Sequence, residues 1–178
     1  MSTQAIGAAA AGTVVIGGGG ATIAYAAGAF NGEIKYKNFG DYVRRSGKYR
    51  YIGQGATVSE NDPTAENIKK LLEKESRENK EDYRNKLKEQ EPDMNLNPTD
   101  ASTPKPSKED INSAGQTEKT NETDKVSKFV SKWCIQNKTN KPTPSDGKEE
   151  FTEEKIKQHA NWSKFEAVCL ELVSTTNK

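Results

Sequence analysis

The first thirty residues contain the feature that most constrains the fold of this chain, a run from Ala5 to Phe30 without a charged residue. Charged residues make up 30% of the whole chain, so their absence over this length is unusual. A helix needs about 20 apolar residues to cross a bilayer. We therefore predict that residues 5–30 form a hydrophobic helix, either a transmembrane anchor or a signal segment.

Small residues recur along this run. Gly20, Ala24 and Gly28 are spaced four apart, so in a helix they lie on one face. Such a ridge lets two membrane helices approach closely, although a Gly/Ala-rich run also produces the spacing by chance. Ala24–Ala26 fits a signal cleavage site, but Met1–Gln4 contains no Lys or Arg. We favour an uncleaved single-pass anchor, with cleavage and secretion as the alternative.

The glycine cluster in the run suggests a second hypothesis, a dinucleotide-binding turn. Val14–Gly20 resembles a strand that enters a glycine loop. The fingerprint G-x-G-x-x-G requires a small residue at its last position, which here is Thr22 or Ile23. No alternation of strands and helices follows to build the sheet. We reject this hypothesis and predict no cofactor.

The rest of the chain is polar and close to electroneutral. Only 31% of all residues are hydrophobic, and the chain contains 27 basic and 26 acidic residues. This balance gives no overall attraction for nucleic acid, which we exclude as a partner. A chain with so few apolar residues buries a small core. The fold class we predict is mainly α, with a solvated middle helix, a disordered linker and a small C-terminal helical unit.

Residues 31–58 are rich in both basic and aromatic side chains. Directly after a membrane segment, aromatic rings favour the interface and Lys or Arg meet anionic lipid. The alternative is a short helix at Phe39–Arg45 and a turn at Gly47, both packed on the protein itself. The sequence leaves these two hypotheses open.

The middle of the chain divides into a charged helix and a linker. Residues 59–90 predict one helix, mostly solvated, with an apolar patch near Ile68–Leu72. It is either a charged helix without a partner or a coiled-coil or partner helix. Residues 91–123 contain four prolines and only isolated apolar residues, so burial cannot offset the entropy of ordering them. We predict that this linker is disordered.

Residues 124–174 predict a small helical domain. Helical spacing places five residues on one face: Val126, Phe129, Val130, Trp133 and Cys134. A second helix begins at Thr152, a residue suited to capping it. A last helix from about Asn161 places Trp162, Phe165, Cys169 and Leu172 on one face. The structural core we predict comprises Val126, Phe129, Val130, Trp133, Trp162, Phe165 and Leu172.

Cys134 and Cys169 lie on the apolar faces of two of these helices. If the helices pack antiparallel, the sulfurs meet and a disulfide forms, provided that this part of the chain lies outside the cell. The alternative is a pair of buried thiols that act as small apolar groups.

His159 is the only histidine of the chain. Together with Cys134 and Cys169 it does not match the close spacing of a zinc site. Both cysteines fall on packing faces, which argues against a nucleophile. We therefore predict no metal site, no catalytic residue and no enzymatic activity.

Two segments near the C-terminus, Val130-Ser-Lys-Trp133-Cys134 and Trp162-Ser-Lys-Phe165-Glu-Ala-Val168-Cys169, follow an Ala/Gly-rich N-terminal run. This pattern resembles the small paralogous proteins of haemotropic mycoplasmas, wall-less bacteria that live on red blood cells. The resemblance implies a membrane-associated or exported protein involved in host contact or antigenic variation. It implies structural roles for Trp133, Cys134, Trp162 and Cys169, and it carries over no catalytic residue.

Two features of the sequence predict opposite orientations of the chain in the membrane. Lys and Arg follow the hydrophobic run and are absent before it, which by the positive-inside rule places the C-terminal part in the cytoplasm. The disulfide hypothesis and the resemblance place that part outside. We favour a cell-membrane protein with an extracellular C-terminal part that contacts a host surface or a protein partner. The alternative is a cytoplasm-facing scaffold, and the sequence does not determine the oligomeric state.

Overall fold

Helices dominate the structure, a computed structural model that describes residues 34–54, 62–98, 102–144, 147 and 149–173. The prediction of a mainly α protein is confirmed. Within those ranges the elements in chain order are β1 (Lys35–Tyr36), α1 (Phe39–Ser46), β2 (Tyr49–Tyr51), α2 (Ala65–Arg77), α3 (Asp82–Gln90), a 3-10 turn (Glu91–Asp93), α4 (Lys108–Ser113), α5 (Thr120–Asn137), β3 (Phe151–Thr152), α6 (Glu153–Lys157), α7 (Trp162–Cys169) and β4 (Leu170–Leu172).

The hydrophobic helix predicted at residues 5–30 lies outside the described residues. None of the helices in the described ranges combines the length and the apolar character needed to cross a bilayer. Residues 35–178 form one compact unit. The sequence predicts a juxtamembrane region, a helix, a linker and a separate C-terminal domain over this part of the chain.

Two short antiparallel sheets join the beginning of this unit to its end. β1 pairs with β3, so that Lys35 faces Thr152. β2 pairs with β4, so that Tyr49 faces Leu172 and Arg50 faces Glu171. These pairings hold α1 against α6 and α7.

Residues 34–54 and 149–173 together form what we call the aromatic region. Its buried rings belong to Tyr36, Phe39, Tyr42, Tyr49, Tyr51, Phe151, Trp162 and Phe165. The Trp162 ring centroid lies 5.1 Å from that of Phe39 and 5.2 Å from that of Tyr42, both edge to face. Edge-to-face pairs at this spacing add to the stability gained from burial. The hypothesis that these rings lie in a membrane interface is wrong, since they form a protein core.

Local sequence signals set the bounds of α1. The Asn38 side chain accepts a hydrogen bond from the Asp41 backbone N–H (2.8 Å), which caps the first turn. Gly47 ends the helix with a φ of 67°, a conformation that glycine adopts without strain. The helix and turn predicted as the alternative for this stretch are therefore confirmed.

Helices α2, α3, α4 and α5 form what we call the helical region, in which α2 and α4 pack on α5. Its core is mainly aliphatic: Ile68, Leu72, Leu87, Ile111, Val126 and Val130 are almost completely buried. Burial of each such side chain contributes about 1.5–3 kcal/mol. The single helix predicted at 59–90 is wrong, because the structure has two helices there, with Ile68, Leu72 and Leu87 buried.

The break between α2 and α3 depends on Asn79 and Glu75. Asn79 has a φ of 53°, a left-handed conformation that asparagine adopts more readily than most residues. The chain then turns back, and the buried Glu75 carboxylate accepts the Tyr83 backbone N–H at 2.7 Å. A carboxylate at a helix N-terminus satisfies free N–H groups and complements the helix dipole.

The prediction of disorder for 91–123 is wrong for the residues of this segment that the structure describes. Ser107 and Asp110 form a reciprocal capping box at the start of α4. Ile111 is buried, and so is Met94 beside the 3-10 turn. The Arg84 guanidinium, itself buried, donates hydrogen bonds to the backbone carbonyls of Asn112 and Ala114 at the end of α4. Long-range packing therefore orders a segment that has few apolar residues of its own.

Leu172 was predicted to lie in the core and is instead 68% exposed. Helix α7 ends at Cys169, and at Leu170 the backbone becomes extended (φ −125°, ψ 152°). The side chains then alternate with a period of two instead of continuing along the helical face. Leu172 is the last residue of the short strand β4, and its side chain does not continue the buried face of α7.

Candidate functional site

Cys134 on α5 and Cys169 on α7 form a disulfide, which confirms the predicted bridge. Their Cα atoms are 5.7 Å apart, and both residues are fully buried. The bridge connects the helical region to the aromatic region. Since thiols of this kind are kept reduced in the cytosol of most cells, a buried disulfide in a small domain is typical of an oxidising compartment.

The six other predicted core residues are buried. Val126, Phe129, Val130 and Trp133 lie on one face of α5, as their spacing predicted. Trp162 and Phe165 lie in the aromatic region. The Thr152 side chain accepts the Lys155 backbone N–H and so caps α6, also as predicted. Gly20, Ala24 and Gly28, the predicted membrane-packing positions, lie outside the described residues.

His159 belongs to the packing of the aromatic region. Its ring centroid lies 5.1 Å from that of Phe39, edge to face, and its Nδ1 atom accepts the Asn161 backbone N–H. Burial lowers the pKa of His159. In the part of the chain that the structure describes, no three His, Cys, Asp or Glu residues are arranged to hold a metal ion.

Carboxylates on α6 and α7 bind the polar ends of the aromatic residues. Glu166 accepts hydrogen bonds from the Tyr49 hydroxyl (2.6 Å) and from the Trp162 indole N–H (3.1 Å). Burial and this carboxylate raise the pKa of Tyr49. These contacts fix the rings in place, so the cluster is a structural one.

The Glu153 carboxylate lies at the edge of the same region, within 3 Å of the ammonium groups of Lys48 and Lys157. Burial raises the pKa of Glu153, but the bonds from the Lys48 and Lys157 ammonium groups outweigh that effect and lower it to about 2. This carboxylate is therefore ionised throughout the physiological range.

A cleft of about 320 Å³ lies between α1, β2 and the end of α5, and we call it the basic cleft. It is lined by Lys37, Asn38, Gly40, Asp41, Val43, Arg44, Tyr49, Arg50, Tyr51, Asp62, Lys138 and Thr139. The Gly40 backbone N–H donates to the Lys138 carbonyl (2.8 Å), which holds α1 against the end of α5. The cleft therefore brings together residues 37–51, Asp62 and residues 138–139, which are distant in the sequence.

Asp41, one of the two carboxylates in the cleft, is bound by its own helix. Arg44 and Arg45 donate hydrogen bonds to its two oxygens at 2.8 and 3.1 Å, and the Lys37 backbone N–H donates a third. Burial raises the pKa of Asp41, but these bonds hold it below the usual value of an aspartate. The carboxylate is ionised and has little capacity left for a ligand.

Two further ion pairs lie at the cleft. Asp62 binds the Lys138 ammonium. The guanidinium of Arg50 binds Glu171, across the sheet, through one hydrogen bond of 3.2 Å. An arginine can instead bind an oxyanion through two parallel bonds. Cations thus outnumber carboxylates among the residues that line the cleft.

Sequence reasoning did not find this cleft. The basic residues of 31–58 are visible in the sequence, which leaves open whether they contact lipid or pack on the protein itself. Asp62 and Lys138 come from the segment before α2 and from the end of α5, and no local pattern relates them to Arg50. Pairing of β2 with β4, which positions Arg50, joins segments 121 residues apart.

Comparisons with protein-family models, with curated proteins and with solved structures found no match for this chain.

Proposed function

We propose that this chain is an exported or membrane-anchored surface protein whose folded part works outside the cell by contact, without catalysis. The observation that carries the proposal is the buried disulfide between Cys134 and Cys169. Such bridges form and persist in oxidising compartments. A contact role in host attachment or antigenic variation agrees with the resemblance to the haemotropic mycoplasma proteins.

The uncharged run from Ala5 to Phe30 supports the same proposal from the sequence. It has the length of a membrane anchor or signal segment. The run directly precedes the compact unit that begins at Lys35. An anchor joined to a domain by a short connection holds that domain near the membrane surface.

A cytoplasm-facing scaffold is the second candidate. It is favoured by the basic side chains that follow the run, because Lys35 and Lys37 are exposed and lysines interact favourably with anionic lipid. In this case the positive-inside rule applies and the thiols stay reduced in the cell.

Location is tested by labelling intact cells with a membrane-impermeant amine reagent. Lys70 and Lys74 are suitable targets because their side chains are 67% and 63% exposed on α2. If the domain is outside, mass spectrometry finds both lysines modified without lysis. Modification only after lysis contradicts the proposal and supports the scaffold.

The redox state is tested in parallel. Because Cys134 and Cys169 are fully buried, cells are acid-quenched and the protein is denatured before its thiols are tagged. The proposal predicts tagging only after reduction. The Cys134→Ala variant is the control, because its remaining thiol should be tagged without reductant.

A further inference from the structure

The basic cleft has the dimensions of a small-ligand site. Its volume, about 320 Å³, lies at the lower end of the range for ligand pockets in proteins. Three segments fixed by backbone pairing and by the core form its walls: α1, β2 and the residues after α5. A site on rigid elements is preorganised, and its ligand does not have to order the chain.

The charges around the basic cleft are predominantly positive. Four cations line it, Lys37, Arg44, Arg50 and Lys138, against two carboxylates, Asp41 and Asp62. The two positive charges in excess act within a concave surface, which concentrates their field.

Arg50 is the best-placed anchor for an anion. It is a strand residue held in register opposite Glu171, and 19% of its side chain remains exposed. It uses one hydrogen bond, to Glu171, and its Nε–H is buried without an acceptor among the described residues. A guanidinium with this unused capacity fits the planar, two-oxygen geometry of a carboxylate or phosphate.

Lys138 is held opposite Arg50 in the same cleft, but its charge is engaged by Asp62. This pair limits the attraction that the cleft exerts, because the carboxylate competes with any incoming anion. Removal of the Asp62 charge should therefore strengthen anion binding, whereas loss of a cation should weaken it.

We propose that the basic cleft is a binding site for an oxyanion group, a phosphate or a carboxylate, with Arg50 as the anchoring residue and Lys138 as the second cation. The proposal does not depend on which side of the membrane the domain occupies. The group belongs either to a small soluble molecule or to a lipid headgroup.

The test uses the full chain in phosphatidylcholine nanodiscs and inorganic phosphate as the probe, with acetate as the carboxylate probe. Calorimetry should show saturable phosphate binding with a Kd on the order of 1 mM. Arg50→Gln should weaken it about tenfold, the effect of losing a charge-assisted hydrogen bond. Asp62→Asn should strengthen it about threefold, an increase that an unfolded variant cannot produce.

Lys69 provides the matched control, because it binds Asp124 much as Lys138 binds Asp62 and lies outside the cleft. Their side-chain exposures are 27% and 31%. Lys69→Gln and Asp124→Asn should leave phosphate binding unchanged. The proposal is overturned if phosphate does not bind saturably, or if Arg50→Gln and Asp62→Asn bind it as the unmodified chain does.

The source of the group is resolved by adding phosphatidic acid to the nanodiscs. If phosphatidic acid weakens the binding of soluble phosphate, and this competition is absent in Arg50→Gln, the cleft is a headgroup site. Undiminished phosphate binding identifies it as a site for a soluble anion.

Discussion

The aromatic region and the helical region of this protein reach stability by different routes. In the aromatic region, residues 34–54 and 149–173 meet across the chain, and rings fill the space between two very short sheets. In the helical region, neighbouring helices pack aliphatic side chains, and buried polar groups hold the turns. The comparison shows that a segment poor in apolar residues can be ordered by neighbours, whereas rings distant in sequence need backbone pairing to meet.

The largest effect should come from the centre of the aromatic region. Phe39 is fully buried against Trp162, Phe165 and His159. Phe39→Ala should reduce the free energy of unfolding by about 4 kcal/mol because it leaves a cavity among rigid rings. Urea unfolding measures this loss. Leu172→Ala, at an exposed position of the same region, should cost less than about 0.5 kcal/mol. Equal costs would show that Phe39 is not part of a tightly packed core.

The disulfide links the two regions covalently, and its contribution to stability can be measured by removing it. The bridge closes a loop of 35 positions, so Cys134→Ala with Cys169→Ala should cost about 3–4 kcal/mol by chain entropy.

Trp133 lies in the helical region and Trp162 in the aromatic region, which allows one fluorescent probe for each. Variants retaining a single tryptophan should show coincident urea midpoints with the bridge intact. Separate midpoints with the bridge intact would mean that each region is a folding unit of its own.

Gly115, in the turn between α4 and α5, tests how tightly the helical region is closed. Its φ is 90°, and a Cβ atom there would collide with the Leu72 backbone carbonyl on α2. Gly115→Ala should therefore cost more than about 2 kcal/mol. Gly47→Ala is the control, because its φ is 67° but no atom lies within 4 Å of the added Cβ. It should cost about 1 kcal/mol. A similar cost at both positions would mean that α2 does not press on this turn.

The smallest effect should be the acid sensitivity that Glu153 confers on the aromatic region. Its pKa is about 2 in the folded protein and near 4.5 when unfolded, so its contribution is complete above pH 4.5 and is lost as the pH falls toward 2. The carboxylate is 32% exposed, and solvent screening limits this contribution to about 1 kcal/mol. Stability measured from pH 6 to 2 should fall less steeply in Glu153→Gln. A double-mutant cycle with Lys48→Gln should show coupling; its absence would contradict the ion pair.

Features determined by neighbouring residues could be predicted from the sequence. The buried face of α5 follows from helical spacing, the start of α6 from the capping residue Thr152, and the end of α1 from Gly47. The apolar helix faces of Cys134 and Cys169 suggested their pairing, with two buried thiols as the alternative. The helical signals each lie within a few turns of one helix, which makes them visible without the fold.

Features determined by distant residues could not be predicted. Met94 and Ile111 are buried by other elements, and their own segment shows no periodicity. The strand that exposes Leu172 exists because it pairs with Tyr49. The basic cleft has the same origin, since Arg50 and Lys138 meet only in the folded chain.

During synthesis, strands β1 and β2 are made long before the strands with which they pair. Lys35 pairs with Thr152 and Tyr49 with Leu172, partners separated by most of the compact unit. At roughly 5–20 residues added per second, β1 and β2 wait about 6–25 s for their partners to be synthesised. During this interval the five rings of α1 and its neighbouring strands have no core to enter, so the aromatic region is the last part of the unit that can close.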